Sequence, residues 1–327
     1  MKNLTDRQKE VLEFIARFTE ENGYPPTVRE IGENFGISLR AVQDHIAACQ
    51  KKGYLSQCQK RSRSIRVLKD DGKHPYIRLD ENNLLYVDGK GKVMTWMNST
   101  VNGKPVVPRS GYIVEVNALW YNALEYAAKL HRQHGEADLA DKLEQRAMFC
   151  KKSFVDTFLN DYGYLFDYVD GNMMDWSVRP NMIFAAALDY SPLSAEQRKG
   201  VLDICTKELL TPKGLRTLSP KSGGYNPICA GPQIQRDLSY HQGTAWPWLG
   251  SFYMEACLKI YRRTRLSFIE RQMVGYEDEM QTNCLGTLPE MFDGNPPFYA
   301  RGAISFAMNV GETLRTLSLV EKYTYLI

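Results

Sequence analysis

The chain has 327 residues, 43% of them hydrophobic and 24% charged, which leaves room for two domains, or one small and one large, of ordinary globular composition. No run of 18 apolar residues occurs, and the opening stretch MKNLTDRQKEVLEF carries charge throughout, so neither a membrane span nor a secretory signal is expected. The seven cysteines stand singly, odd in number and without a CxxC pair; the expectation is reduced thiols in a cytoplasmic protein, with no disulfide frame and no metal site. No cofactor is implied.

The net charge of +3 is unevenly placed. Residues 1–73 hold 14 Lys and Arg against 10 Asp and Glu, the remainder 27 against 28, and residues 45–69 hold seven basic residues and no acid. Such a stripe in a short segment is the footprint of a polyanion binder. Thr5 with Gln8 is a capping-box signature, followed by Val11, Leu12, Ile15 and Phe18 at helical spacing. Gly23 and the pair Pro25–Pro26 end that helix, Thr27 with Glu30 opens a second, and after Gly36 Ser38 caps a third carrying Val42, Ile46 and Cys49. Two short capped helices around a glycine turn predict a helix-turn-helix, and GYLSQCQKRSRSIRVL predicts a two-stranded wing with a basic tip.

In that geometry the third helix enters the major groove front end first. Ser38, Arg40, Gln43 and Asp44 stand on this front, with Arg suited to guanine, Gln to adenine and Asp to cytosine. Arg29, Lys60, Arg61 and Arg63 suit phosphates. The run from LTDRQKEVLEF through GYPPTVREI and KKGYL to SRSIRVL resembles the DNA-binding domain of LexA-type repressors. That resemblance implies double-stranded DNA as partner, read by Ser38, Arg40, Ala41, Gln43 and Asp44. Nothing after residue 70 resembles the self-cleaving, dimerising half of that family.

The remainder is predicted to be mainly helical, with periodicity at roughly 112–133, 137–159, 178–190, 195–209, 243–264, 265–283 and 301–322. LLYVDGKGKVMTWMN has a hairpin-like reading that feeds a Trp. FDYVDGNMMDWSVRPN, GLRTLSP and YHQGTAWPWLG set Arg179, Asn181, Arg216, His241 and Gln242 beside Trp96, Trp176, Trp246 and Trp248. Ring faces beside amides and guanidiniums suit a saccharide cleft, although any one of these Trp residues is read as core in the first instance. LLYVDGKGKVMTWMN, VVPRSGYIVEVNALWYNAL, VRPNMIFAAAL, LLTPKGLRTLSP, YHQGTAWPWLGSFYMEA and LGTLPEMFDG resemble, in family order, the C-terminal part of glycogen debranching enzymes of the amylo-α-1,6-glucosidase type. The resemblance implies an (α/α)6 barrel and inverting hydrolysis of α-1,6-linked glucose, with branched α-glucan or maltooligosaccharide bound by Trp96, Asn98, Arg179, Asn181, Arg216, His241, Gln242, Trp246 and Trp248.

Inversion needs an acid and a base. Glu290 of EMFDG matches the base position, but TWMN places Asn98 where an Asp is expected, and an amide cannot donate the required proton. Asp170 and Asp175 are conceivable substitutes that read more simply as surface or cap residues. About seven helices against twelve makes the expected fold a small winged helix-turn-helix (1–70), a junction (71–76) and a partial (α/α)6 barrel (77–327), with exposed apolar surface open to self-association. Three functions stay open: a glucosidase module with a DNA-binding head, a DNA-binding repressor with a sugar-sensing body, and a fusion without integrated function.

Overall fold

The computed structural model describes residues 4–22, 24–52, 54–57, 65–67 and 76–325, and the chain divides into two compact units, residues 1–75 and 76–327. In the first, α1 (Asp6–Asn22), α2 (Val28–Phe35) and α3 (Leu39–Lys51) precede β1 (Leu55–Gln57) and β2 (Ile65–Val67), paired antiparallel with Leu55 opposite Val67. The caps are those the sequence predicts. Thr27 Oγ1 accepts from the Glu30 amide while the Glu30 carboxylate accepts from the Thr27 amide at 2.6 Å, and Ser38 Oγ accepts from the Ala41 amide. Each such cap satisfies amides the helix leaves open, worth about 1 kcal/mol. Gly36 closes α2 at φ 61°, a left-handed position that glycine enters at no steric cost. Val11, Leu12, Ile15, Ile31, Val42, Ile46, Cys49, Leu55 and Ile65 close over one core, each full apolar side chain stabilising by about 1.5–3 kcal/mol. The wing tip falls outside the described residues, and with it Lys60, Arg61 and Arg63.

The second unit is built on helix pairs. α4 (Val114–Gln133) packs on α5 (Ala137–Phe158) and on α6 (Ile183–Ala187); α6 packs on α7 (Ala195–Glu208) and α9 (Pro247–Tyr261). α9 packs on α11 (Ala307–Tyr325), which also meets α10 (Leu266–Thr282). The succession α4, α6, α9, α11, with α5, α7 and α10 laid against it, is the two-layer arrangement of a partial (α/α) barrel. α6 is the short IFAAA, apolar all round and wholly buried, as a helix enclosed by others must be. Between Phe154, Phe158, Met182, Leu202, Leu249 and Met254 the core is continuous.

Three features depart from the sequence-based expectation. LLYV does not form a hairpin with the segment after it: β4 (Leu85–Val87) pairs instead with β3 (Ile77–Leu79) and β7 (Gly111–Ile113), where Tyr86 lies opposite Tyr112 and their rings meet edge to face, a contact GKGKV cannot offer. With β8 (Tyr168–Asp170) and β9 (Met173–Met174) these make a five-stranded antiparallel sheet in the order β3-β4-β7-β8-β9. A second sheet runs β10 (Leu210–Thr211), β11 (Gly214–Arg216), β12 (Ala245–Trp246), β13 (Met291–Phe292), β14 (Ala300–Arg301), and β5 (Thr100–Val101) pairs with β6 (Lys104–Pro105). Strands of two or three residues are too short for an alternation to register. Finally, α8 (Gln233–Ser239) forms from QIQRDLS behind Pro232, a helix with no apolar stripe to announce it.

Candidate functional site

Glu290 sits just before β13, where its amide donates to the Ala303 carbonyl at 2.8 Å. Both carboxylate oxygens accept hydrogen bonds, Oε1 from the Tyr240 hydroxyl and Oε2 from the Ala303 amide at 2.9 Å. Gly302 passes so close that a Cβ there would lie 2.2 Å from Oε2, and its φ of 72° favours glycine as well. Beneath, the Asn309 amide of α11 donates to the carbonyls of Pro289 and Glu290 while its oxygen accepts from the Trp248 amide at the start of α9. Tyr240 and the Ala303 amide thus hold the carboxylate, while Asn309 holds the backbone that carries it. It opens onto a cleft of about 500 Å3 whose lining includes Arg236, Asp237, Tyr240, Arg301 and Gly302. Burial pushes the Tyr240 phenol upward, and the hydrogen bond to Glu290, its charge and that of Asp237 act in the same direction. Arg301 is held by Asp293 through two hydrogen bonds of 2.9 and 2.7 Å.

Several other residues predicted for sugar contact lie deeper, in a buried network. Arg109 is the hub: it bonds both oxygens of Glu115 at 2.5 and 2.6 Å, and its Nε lies 2.7 Å from Asp167 Oδ2, an ion-pair contact without hydrogen-bond alignment. Asp167 Oδ1 accepts from Asn181 Nδ2 at 2.7 Å, and Asn181 Oδ1 accepts from the Trp96 indole at 2.8 Å. Arg179 donates to the His241 carbonyl at 2.9 Å and to Gln242 Oε1 at 2.8 Å. Burial raises the Asp167 carboxyl against the pull of Arg109 and Arg179, and it lowers the Arg179 guanidinium. Burial, then Arg179 and Arg109, lowers His241 to about 3, so the ring is neutral. It stacks on Trp246 at 5.8 Å and meets the edge of Trp96 at 5.1 Å. Two guanidiniums and two carboxyl groups enclosed together hold the loops in one arrangement.

Arg179, Asn181, His241, Trp246 and Trp248 are all buried and none lines the Glu290 cleft itself, although the His241 and Trp246 rings pack against Tyr240 at its edge. Arg216 donates to the Gly294 carbonyl at 2.7 Å, tying the second sheet to the loop after Asp293. Trp96 is half-buried, Asn98 exposed, and Gln242 lines a neighbouring cavity of about 470 Å3 with Val101, Lys104 and Asn226. Asp170 accepts from the Tyr86 hydroxyl and Asp175 from the Ser177 amide; neither lines the Glu290 cleft. Sequence reading missed Tyr240, Asn309 and the Arg109–Glu115–Asp167 set. YHQ and VVPRSGYIVEVN drew attention for other residues, and nothing local says that these charges meet across 58 positions.

In the first unit Ser38, Arg40, Gln43 and Asp44 are exposed along the front of α3, with Ala41 half-buried among them. Arg29, also exposed, is 2.9 Å from Glu33 on the same helix. An exposed pair of this kind is worth little, and phosphate can displace it.

Comparison with known proteins gives each unit a relative. Residues 33–315 match the amylo-alpha-1,6-glucosidase family and residues 1–64 the LexA DNA binding domain. The LexA repressor of Leptospira interrogans serogroup Icterohaemorrhagiae serovar copenhageni (strain Fiocruz L1-130) is 48% identical over 69 residues, 21% of this chain and 34% of that protein. The chain thus spans about a third of that repressor's length. Among solved structures, a sialidase superposes with a TM-score of 0.54 at 13% identity over 68% of this chain and 20% of that one, a likeness of fold alone. Neutral trehalase Nth1 from Saccharomyces cerevisiae gives a TM-score of 0.47 at 15% identity, over 64% of this chain and 38% of that one. With the match across residues 33–315, the chain belongs to the amylo-alpha-1,6-glucosidase family and carries a LexA DNA binding domain at its N-terminal end.

Proposed function

We propose that the second unit is a glycoside hydrolase that releases α-1,6-linked glucose from branched α-glucan by inversion, and that the first unit holds double-stranded DNA through the front of α3. The observation that carries the hydrolase reading is Glu290, a carboxylate fixed by Tyr240 and the Ala303 amide on a cleft of about 500 Å3. In this reading Glu290 takes the proton of the attacking water, while Trp96, Asn98 and Gln242 contact sugar from the exposed side. Arg179, Asn181, Arg216, His241, Trp246 and Trp248 shape the wall. The functional parts are assigned as 1–70 and 77–327 with 71–76 as junction. Glucose release from a branched limit dextrin, compared between the protein and its Glu290→Gln variant, tests the reading.

Asn98 favours a second reading, in which the body binds maltooligosaccharide without efficient turnover and the head represses transcription in response. Position 98 is exposed and carries an amide, which hydrogen-bonds a hydroxyl but supplies no proton. Its test is operator affinity measured with and without maltooligosaccharide, since coupling demands differential binding to two states. An unchanged affinity excludes it.

A further inference from the structure

An inverting hydrolase needs a second carboxyl group across the cleft from its base, roughly 6.5–9.5 Å away, to protonate the leaving oxygen. Among the described residues, the cleft that Glu290 lines contains one other carboxylate, Asp237 on α8. Asp293, next in sequence to the Glu290 strand, is buried and committed to Arg301 and the Cys229 amide. We propose that Asp237 is the proton donor of the reaction, and this rests on the hydrolase reading of the Glu290 cleft.

The hydrogen bonds divide the two roles. Glu290 accepts through both oxygens, which fixes its carboxylate in one orientation at the cleft. Asp237 accepts at Oδ1 alone, from Gln233 Nε2 at 2.7 Å, and Gln233 is itself held by Arg236 at 2.7 Å. Oδ2 makes no hydrogen bond among the described residues and is the atom left to carry a proton. Tyr240 borders both groups, bonded to one and within reach of the other's charge. Ser99 Oγ donates to the Asp237 carbonyl at 2.6 Å, so the segment carrying Asn98 is tied to the turn of α8 that carries Asp237.

The step balances. Water loses a proton to Glu290 as its oxygen bonds the anomeric carbon. The glycosidic C–O bond breaks with its electron pair moving to the departing oxygen, and Asp237 gives that oxygen its proton. Solvent then returns Glu290 and Asp237 to their starting states.

Two probes separate the roles in the full-length protein. Release of glucose from branched limit dextrin needs leaving-group protonation, whereas α-glucosyl fluoride departs as fluoride without it. Asp237→Asn is expected to lower dextrin hydrolysis by about 10²–10⁴-fold, with a loss on the fluoride at least about tenfold smaller. Glu290→Gln is expected to lose both. Residual fluoride hydrolysis also shows that the Asp237→Asn protein is folded. Dextrin hydrolysis by Asp237→Asn near the wild-type rate, or equal losses on both probes, overturns Asp237 as the donor while leaving the hydrolase reading intact. A wild-type protein that turns over neither probe overturns the reading and the donor with it.

Discussion

His241 shows how strongly single residues here answer to their surroundings. It is 1% exposed, and burial with two neighbouring guanidiniums lowers its pKa to about 3, against about 6.5 for a free histidine. Between those values the unfolded chain binds a proton that the folded chain refuses. The histidine's contribution to stability is therefore complete above pH 6.5 and is lost as the pH falls towards 3, at about 1.4 kcal/mol per pH unit. Asp167, raised by burial, acts with the opposite sign, so the useful quantity is the difference between the protein and His241→Asn. Urea unfolding between pH 6.5 and 4 is expected to show the variant losing stability less steeply than the parent; parallel slopes would remove His241 from the account. In the first unit the residue proposed to read a base is Arg40, exposed on the front of α3. Arg40→Ala is expected to cost about 1–3 kcal/mol in DNA binding and to relax preference at one base. A uniform loss over all sequences would make it a phosphate contact.

At the scale of elements, short strands and loops depend on charges they bury. Arg109 joins the loop before β7, the first turn of α4 and the loop before β8 through Glu115 and Asp167, all three almost fully enclosed. Arg109→Ala leaves two carboxylates without their cation, and a loss of about 3–5 kcal/mol is expected in denaturant unfolding of the second unit; a change under 1 kcal/mol would show that water or other donors take over. Much of the element plan was legible. The caps at Thr27 and Ser38 and the long helices α4, α5 and α10 follow from local spacing, because capping and amphipathic faces are written within a few residues. The two five-stranded sheets and α8 were not, because their partners lie far along the chain and their segments are too short or too polar to show a period. The candidate site divides in the same way: Glu290 stands out by its motif, while Tyr240 and Asp237 enter only once α8 is folded beside it.

Across the whole molecule, among the described residues no helix is long and apolar enough to cross a membrane. Exposed apolar side chains lie on several elements, Leu139, Met148 and Phe149 of α5 among them, and also on the two end helices of the array. Leu119, Tyr126 and Leu130 recur on one face of α4, and Leu314 and Leu317 on α11, all exposed. We propose that these faces pair between copies, as apolar surface of that kind favours. Sedimentation velocity is expected to show species larger than a monomer that dissociate in the Tyr126→Lys, Leu314→Lys double variant; a monomer at every concentration contradicts this. Glucose release from a branched limit dextrin tests the proposed role of Glu290 in hydrolysis of branched α-glucan. The account predicts release by the full-length protein and a fall of about 10²–10⁴-fold in Glu290→Gln. No release, or equal release from both, contradicts it.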